Sequence, residues 1–153
     1  MAEIRPGERD AVAPFLERNH SLRVARLGRL EDTLAHPSFM AVEDGRVVGV
    51  ATYVPAGESC ELLTLHAEPP GRGVGTALIE TVIAETGCRR LWLITTNDNT
   101  DALRFYQRRG FRLAELHPGA VDRARATLKP EIPVIGDHGI PIRDELVLER
   151  LQE

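Results

Sequence analysis

The sequence predicts a single mixed α/β (α+β) domain over residues 1–153, with a mostly antiparallel central sheet, one parallel strand pair and flanking helices. Alternating apolar residues around Asp44-Gly45 predict an antiparallel meander in the first half. A glycine-rich turn then opens a helix, and the nearly continuous apolar run at 89–96 follows it, as expected for a buried strand beside a parallel neighbour. The chain length of 153 residues suits one domain with a sizeable core.

Composition excludes several classes of protein. With 42% hydrophobic and 27% charged residues, the chain is typical of a soluble globular domain. The net charge of -4 argues against a general nucleic-acid binder, whose affinity rests on a basic surface. The opening residues, MAEIRPGERD, are charged and no run could span a bilayer, so we expect neither a secretion signal nor a membrane partner. Cys60 and Cys88 lack metal or CxxC spacing, which indicates reduced core thiols in a cytoplasmic protein.

The first part of the chain is predicted to contain one short strand and two helices. Residues 3–5 form the strand, and a first helix has an apolar face that Pro14 can shorten. A second amphipathic helix is predicted up to Pro37. The apolar positions of the two helices are Ala11, Val12, Phe15 and Leu16, then Val24, Leu27, Leu30 and Leu34. The arginines at 23, 26 and 29 form either a solvated face or a wall of an acceptor or phosphate site.

Three strands follow as a meander. The segment FMAVEDGRVVGVATYV shows two strand patterns joined by Asp44-Gly45, a strong signal for a hairpin. A second turn at 55–58 leads to the third strand, SCELLTLHA, at 59–67. This third strand ends at a loop of unusual composition.

That loop lies in the stretch EPPGRGVGTALIE, residues 68–80. Gly71, Gly73 and Gly75 need either a positive φ or a closely approached backbone. Helical spacing begins at Val74 and ends at Gly87, and the first turn carries no carboxylate. Its N–H groups are therefore open to an outside anion such as a diphosphate. From this string alone, a plain glycine-rich turn that caps an ordinary helix is an equal alternative.

The second half continues as strand, helix and strand. The apolar run 89–96 is a buried strand, and the helix before it serves as the crossover between two parallel strands. Four capping residues open the next helix, and Gly110 closes it. They are Asn97, Asp98, Asn99 and Thr100. Strands are expected at 111–116 and again near the C-terminus, at 143–151.

Two segments in this order carry a resemblance to a known family. LTLHAEPPGRGVGTALI followed by LWLITTNDNTDALRFYQRRGF resembles the signature segments of the GNAT superfamily of acetyl-CoA-dependent N-acetyltransferases. The specific part runs from Leu63 to Phe111. The family pattern has Arg or Gln, two free positions, Gly, one free position, then Gly or Ala. Gly73 and Gly75 match its last two anchors, whereas Pro70 replaces the first; the amide cradle survives, because main-chain N–H groups hold phosphates.

The resemblance implies a cofactor site. In this family the strand before the glycine loop and the strand after the crossover helix splay apart, and the pantetheine arm of acetyl-CoA lies between them. The matching positions are Leu65 and Ala67 for pantetheine, Arg72, Gly73, Val74, Gly75 and Thr76 for the diphosphate, and Asn99 from the later loop. No metal is implied.

The resemblance also implies a reaction. Acetyl moves from acetyl-CoA to a primary amine by direct attack through a tetrahedral intermediate, whose oxyanion a main-chain donor near Leu65 can stabilise. Tyr106 matches the usual general acid, which protonates the leaving thiolate. The alternative for Tyr106 is an aromatic residue packed in the core.

A general base is also expected. A lysine-like amine with a pKa near ~10.4 is only about one part in 2,500 neutral at pH 7. Glu61 is preferred as the base, because a charged residue inside an apolar strand is costly unless it is partnered or functional. His66 is the second candidate. By strict alternation these two side chains face opposite ways, but a bulge would change the parity.

Other functions stay open from the sequence. The same fold could serve as a non-catalytic acyl-CoA sensor. A dinucleotide-binding oxidoreductase is disfavoured, because Leu78 occupies the position of the third small residue of that motif. The acceptor, a small molecule or a peptide, is not named by the sequence, and a homodimer is implied only by the habits of relatives.

The segment 117–142 is long for a connection between two strands. Residues 120–128 are predicted to form a helix, and the four prolines from Pro118 to Pro141 favour ordered turns. Either a lid or a solvated excursion fits this composition. As a lid, it would present Arg123, Arg125 and Lys129 to an acidic acceptor, whereas His117, Asp137 and His138 lack convincing metal spacing.

Overall fold

The structure is a computed structural model that describes residues 2–153, and this part of the chain contains nine strands and four α-helices. The strands are β1 Glu3–Pro6, β2 Arg23–Arg26, β3 Arg29–Asp32, β4 Ser38–Glu43, β5 Arg46–Ala56, β6 Ser59–Ala67, β7 Arg90–Thr96, β8 Arg112–His117 and β9 Glu145–Leu151. The helices are α1 Arg9–Arg18, α2 Val74–Thr86, α3 Thr100–Gln107 and α4 Ala120–Thr127. Within residues 2–153, none of the helices combines the length and apolar character needed to cross a membrane.

Seven of the strands form one sheet in the order β1-β4-β5-β6-β7-β9-β8, and β2 pairs with β3 separately. The larger sheet is mostly antiparallel with one parallel pair. This confirms the predicted fold class. The residues pack into two compact units, which are described in turn: 2–23, 32–91 and 152 in the first, and 24–31, 92–151 and 153 in the second.

The first unit is a meander of β1, β4, β5 and β6 with a helix on each face. Val50 of β5 lies in a buried cluster with Val12, Phe15 and Leu16 of α1. Neighbouring residues in a strand point to opposite faces. Gly49 accordingly faces α2. The apolar face predicted for the first helix is confirmed, and the helix runs through Pro14 without ending there.

Gly49 lets α2 approach the sheet closely. A Cβ atom at this position would lie 2.6 Å from a methyl group of Val74 and 3.1 Å from one of Leu78. Both distances are shorter than ordinary carbon contacts of about 3.5–4.0 Å. The absence of a side chain at residue 49 therefore fixes where the first turn of α2 lies over β5.

The meander contains the predicted tight turn. Asp44 and Gly45 have φ values of 52° and 75°. Two successive positive φ angles identify the type of two-residue turn that suits the twist of antiparallel strands. The second turn is shorter than predicted, because β5 continues to Ala56.

The second unit contains the β8–β9 pair, α3, α4 and the β2–β3 hairpin. Residues 112–117 pair with 145–149 in antiparallel register, with one extra residue, Ala114, on β8. The helix predicted at 120–128 is present as α4. The strands predicted at 111–116 and 143–151 are likewise present, as β8 and β9.

The helix predicted for residues 24–34 is wrong. This stretch forms β2, a two-residue turn at Leu27-Gly28, and β3, and Leu34 lies in a separate single turn of 3-10 helix. Leu27 and Gly28 both have positive φ, at 49° and 73°. A glycine in mid-segment disfavours a helix and supplies the left-handed turn that a hairpin needs. The helical spacing of the leucines was therefore coincidental.

Candidate functional site

The glycine loop and the start of α2 form a site of open main-chain donors. Gly71 and Gly73 have φ values of 84° and 81°, with no atoms within 4 Å of an added Cβ. The first bond into α2 runs from the Ala77 N–H to the Gly73 carbonyl, at 3.0 Å. The N–H groups of Val74 and Gly75 precede this bond and have no partner inside the helix. No side chain caps α2, and no acid lies in its first turn.

This donor set fits an anionic diphosphate. Exposed N–H groups and the positive end of the helix dipole attract negative charge, and no carboxylate competes at this turn. Two of the three glycines meet the expectation for them. Gly71 and Gly73 use a positive φ, whereas Gly75 is buried in the first turn.

Arg72 of the loop is already paired in this structure. Its Nη2 lies 3.1 Å from Oε1 of Glu43, on β4. The hydrogen bond from Arg72 lowers the pKa of the Glu43 carboxyl. Since half of the Arg72 side chain is exposed, an incoming phosphate can compete with Glu43 for the guanidinium.

Strand β6 contains the bulge on which the choice of base depends. Thr52 and Tyr53, consecutive in β5, pair with Thr64 and Leu62 of β6, so Leu63 is the extra residue. Directly paired residues share a face of the sheet.

The bulge brings the two candidate bases to one face. Glu61 pairs with Val54, and His66 pairs with Val50. These partners are four residues apart on β5, and an even separation along a strand keeps one face. Glu61 and His66 therefore point to the same side, the side that α1 covers.

Glu61 is buried inside the first unit. Glu61 lies between the buried residues Cys60 and Leu62, and its own exposed fraction is 3%. All fully buried side-chain nitrogen and oxygen atoms in the described part of the chain have a hydrogen-bond partner. The carboxylate is thus partnered, as a buried charge must be.

His66 makes a close contact with a residue that sequence reasoning missed. Its Nε2 lies 2.7 Å from the Oγ of Ser21. The ring of Phe15 packs at 6.5 Å between centroids. Burial lowers the pKa of His66, which a weaker effect of Glu68 opposes. The imidazole is therefore neutral near pH 7.

Glu68 ties the start of the glycine loop to the end of α1. Its Oε1 accepts hydrogen bonds from Nε and Nη2 of Arg18, at 3.2 and 2.9 Å. Its Oε2 accepts one from Nδ2 of Asn19, at 3.0 Å. These bonds lower the pKa of Glu68. We call this group of three residues the Glu68 clamp; no sequence signal links residues fifty positions apart.

Leu65 and Ala67, the positions matched to pantetheine, lie at the end of β6. They pair with Ala51 and Gly49 and are half-buried, so they share the face that α2 covers. Directly before Leu65, the hydroxyl of Thr64 donates to that of Thr52 across the strands at 2.9 Å. The end of β6 is therefore accessible while its centre is fixed.

In the second unit, Tyr106 is a buried ring with an unpaired hydroxyl. Its exposed fraction is 9%, and it packs edge-on against Phe105 and Phe111 at 5.2 and 5.3 Å. Burial raises the pKa of the phenol. Its hydroxyl makes no hydrogen bond within residues 2–153. Every side-chain nitrogen or oxygen that is fully buried in this range has a hydrogen-bond partner, so the Tyr106 oxygen is not fully buried. The phenol oxygen is therefore partly exposed to solvent, whereas the ring is buried in the core.

Only one of the predicted capping residues caps α3. The Oδ1 of Asn99 accepts from the Ala102 N–H at 3.3 Å, and its Nδ2 donates to Thr95 at 3.2 Å. One Nδ2 hydrogen remains for a ligand, since an amide nitrogen has two.

Asn97 and Asp98 instead hold the segment between β8 and β9. Oδ1 of Asn97 accepts the N–H groups of Arg143 and Asp144, both at 2.9 Å, and its Nδ2 donates to Pro141. Buried Asp98 accepts the Asp137 N–H at 3.0 Å. The polar cluster thus fixes a neighbouring chain segment, a role that local spacing does not reveal.

Arg125 of α4 organises the same segment from within. It donates to the carbonyls of Ile132, Pro133 and Ile142 at 2.8–2.9 Å and pairs with Asp122 at 3.1 Å. Four of its five N–H donors are used by the chain itself, which leaves one for the acidic acceptor that a lid would meet.

Glu145 is a second buried carboxylate, with an exposed fraction of 2%. Its Oε1 accepts the N–H of Leu27 at 3.0 Å, at the tip of the β2–β3 hairpin. This bond anchors the hairpin turn. Among residues 2–153, no group of three or more His, Cys, Asp or Glu side chains is arranged to hold a metal ion.

Comparison with known proteins decides the family. The model of the Acetyltransferase (GNAT) family matches residues 8–111. This stretch is more than half of the chain. The chain belongs to the GNAT acetyltransferase family. It is therefore an acyltransferase by family.

Relatives and solved structures agree with this GNAT assignment. The uncharacterised protein YxbD of Bacillus subtilis (strain 168) is 47% identical over 114 residues, which cover 71% of this chain and 70% of YxbD. The IAA acetyltransferase from Bacillus cereus ATCC 14579 superposes over 99% of this chain and 100% of its own, with a TM-score of 0.77 and 19% identity. A Bacillus subtilis acetyltransferase in complex with CoA covers 100% of both chains, with a TM-score of 0.72 and 18% identity. The two structures show that the GNAT fold is shared.

Proposed function

We propose that this GNAT protein transfers acetyl from acetyl-CoA to a primary amine. The observation that carries the proposal is the start of α2, where Gly73 turns the chain with a positive φ and neither a cap nor an acid covers the N–H groups. A solved relative of the same fold binds CoA. When bound, the thioester supplies an activated acetyl carbon and a thiolate leaving group.

The cofactor residues divide into three groups. The N–H groups along 73–76 hold the diphosphate, and Arg72 adds a charged contact after leaving Glu43. Leu65 and Ala67 line the pantetheine arm at the half-buried end of β6. Asn99 contributes its remaining amide hydrogen.

Tyr106 is the proposed general acid. Burial keeps its phenol protonated at neutral pH, because a raised pKa favours the neutral form. The ring is held by Phe105 and Phe111, so the hydroxyl has a fixed direction. A fixed, protonated donor is suited to protonating a departing thiolate.

Glu61 and His66 are the proposed bases, on the same face of β6. Either one removes the proton that a protonated amine must lose before it attacks, directly or through water. Glu61 is the more buried of the two, whereas His66 is neutral and able to accept a proton near pH 7.

The wider setting of the enzyme is also proposed. Residues 1–153 act as one N-acetyltransferase domain, since the family match runs through both compact units. The acceptor is a small molecule or a peptide with a primary amine. The free buried thiols of Cys60 and Cys88 support a cytoplasmic location. Exposed leucines on β8, Leu113 and Leu116, support a homodimer.

A sensor that binds acyl-CoA without turnover is the second candidate. The raised pKa of Tyr106 and the partnered state of Glu61 are as compatible with a stable core as with catalysis. The two candidates share the cofactor site and differ in whether an amine releases free thiol.

The test measures thiol release from acetyl-CoA on addition of pooled primary amines. Tyr106→Phe is expected to lower kcat about 100-fold, within the range for general acids, while the Kd for CoA changes less than about twofold. The control is Tyr53→Phe, at the chain's other tyrosine, which stacks on Phe39 and should leave kcat unchanged. Tight CoA binding with no amine-dependent thiol release would favour the sensor, and no CoA binding would refute both.

A further inference from the structure

Ser21 contacts His66 but takes no direct part in the proposed acetyl transfer. Ser21 follows α1 and is buried, and its Oγ lies 2.7 Å from Nε2 of His66. The same oxygen lies 3.2 Å from the carbonyl of Asn19. A hydroxyl has one hydrogen to donate, so it can serve only one of these two acceptors at a time.

The number of hydrogen bonds that can form decides the direction of the Ser21–Asn19 and Ser21–His66 bonds. If Ser21 donates to Asn19, then Nε2–H of His66 donates to Ser21, and two bonds form. If Ser21 donates to His66, only one forms and the Asn19 carbonyl loses its donor. The first arrangement pairs both neighbours of the buried Ser21 hydroxyl, so it is favoured.

The other ring nitrogen is then left with a lone pair. Nδ1 of His66 makes no hydrogen bond within residues 2–153. No side-chain nitrogen or oxygen in this range is both fully buried and unpartnered, so Nδ1 reaches solvent. The imidazole therefore has one nitrogen fixed by the protein and one open nitrogen.

We propose that Ser21 is a positioning residue, which holds His66 as the Nε2–H tautomer so that Nδ1 accepts the proton of the acceptor amine. The inference rests on the proposed function. Nδ1 takes one proton from the protonated amine, directly or through water, and the freed nitrogen bonds to the acetyl carbon. As the carbon–sulfur bond then breaks, the nitrogen loses its second excess proton to water. The sulfur receives a proton from Tyr106, and water then reprotonates Tyr106 and takes the proton from His66.

The surroundings of His66 suit a base that is neutral at rest. The ring of Phe15 on α1 packs near the imidazole, and Val50 is the cross-strand partner of His66 on β5. The charged groups nearby are Glu68, at the end of the same strand, and Arg18, whose guanidinium Glu68 binds. Glu61 lies further back on the shared face. An imidazolium formed during the reaction is stabilised by Glu68.

The decisive experiment needs no variant of Ser21. Two-bond ¹⁵N–¹H correlation spectra of the uniformly labelled, full-length protein distinguish the two neutral tautomers, and loss of one signal set in His66→Asn identifies His66 among the five histidines. We expect the Nε2–H pattern near pH 7.5. An Nδ1–H pattern, or a mixture of both, would overturn the proposal even if the enzyme proves active.

The Ser21 variants add a kinetic readout. Ser21→Ala is expected to give mixed tautomers and a roughly tenfold lower kcat, as for the loss of one orienting hydrogen bond, with the KM for acetyl-CoA within about twofold. Ser21→Thr retains a hydroxyl and should restore the single tautomer and most of kcat. If Ser21→Ala keeps wild-type kcat while folded, the positioning role is refuted.

Different results would refute the proposed transfer reaction and the positioning role of Ser21. Absence of amine-dependent thiol release in the wild type refutes the proposed transfer reaction, whereas the tautomer of His66 is measured without substrate. An Nε2–H tautomer with wild-type kcat in His66→Asn would assign the base to another residue and overturn the inference alone.

Discussion

The glycine loop, residues 68–73, and the connection between β8 and β9, residues 118–144, are both irregular segments with glycines and prolines, but they are held differently. The loop is fixed at its start by the Glu68 clamp, and it leads into the uncapped first turn of α2. The connection is fixed along its length by Arg125, Asn97 and Asp98. The loop opens onto uncapped main-chain N–H groups at the start of α2, whereas the connection uses its carbonyls and N–H groups in bonds to side chains of its own unit.

This difference separates a binding segment from a structural one. Open backbone donors at a helix start are an anion site, whereas carbonyls that already accept an arginine have little left for a ligand. Substitutions in the connection should therefore change stability, and substitutions in the loop should change cofactor binding.

The largest effect is expected from Arg125→Ala. The side chain is 18% exposed and bonds three carbonyls, so its removal should lower the free energy of unfolding by about 3 kcal/mol. Chemical denaturation measures this loss. Arg125→Lys should lose nearly as much, because an ammonium lacks the planar fork.

Arg123→Ala is the matched control for Arg125. Arg123 lies on the same helix, and within residues 2–153 its side chain makes one hydrogen bond, of 3.1 Å, to the Pro118 carbonyl. Its replacement should cost less than about 1 kcal/mol. Equal losses at both positions would contradict the structural role of Arg125.

An intermediate effect is expected from Gly73→Ala. Alanine at a positive φ costs about 1 kcal/mol, and the local shift moves the N–H groups of α2, so CoA binding should weaken about tenfold. Gly57→Ala provides the control, because Gly57 has a φ of 62° and equally open space. Calorimetry should show the same stability loss for both variants but unchanged CoA affinity for Gly57→Ala. Weaker CoA binding in both Gly73→Ala and Gly57→Ala would contradict a specific role of Gly73 in the cofactor site.

The smallest effect is expected from Glu68→Gln. The Arg18–Glu68 pair is about half exposed, so solvent screening limits its contribution to less than about 1 kcal/mol. The pKa of Glu68 is lowered on folding from an ordinary value of 4.5, so this contribution is present above pH 4.5 and is lost as the pH falls through the folded value.

Denaturation curves at pH 7 and pH 3 test this pH dependence of the Glu68 clamp. The difference in unfolding free energy between wild type and Glu68→Gln should shrink at pH 3. The Kd for CoA should rise about two- to threefold at pH 7 only, in keeping with less than 1 kcal/mol. A difference that grows on acidification would contradict the assignment of the clamp.

Local signals in the sequence were sufficient for most of the fold. The Asp44-Gly45 turn, the glycines before α2 and the apolar run of β7 each follow from backbone preference or periodicity within a few residues. The hairpin at 23–32 was not predicted, because leucines three residues apart also satisfy a helical pattern, although Gly28 at its turn disfavours a helix.

The candidate site also contains local features that the sequence predicts and long-range contacts that it does not. The open N–H groups of α2 could be predicted, since they depend on neighbouring residues only. Ser21 beside His66, the Glu68 clamp and the bonds of Asn97 could not, because their partners lie more than forty positions away. Contacts of this kind are set by the packing of the whole unit.

The extra residue at Leu63 affects how this chain is aligned with its relatives. In a homologue with an unbroken strand here, a gap-free alignment would equate inward-facing positions with outward-facing ones on one side of the insertion. Transfer of annotations across Leu63 therefore requires a one-residue gap at that position.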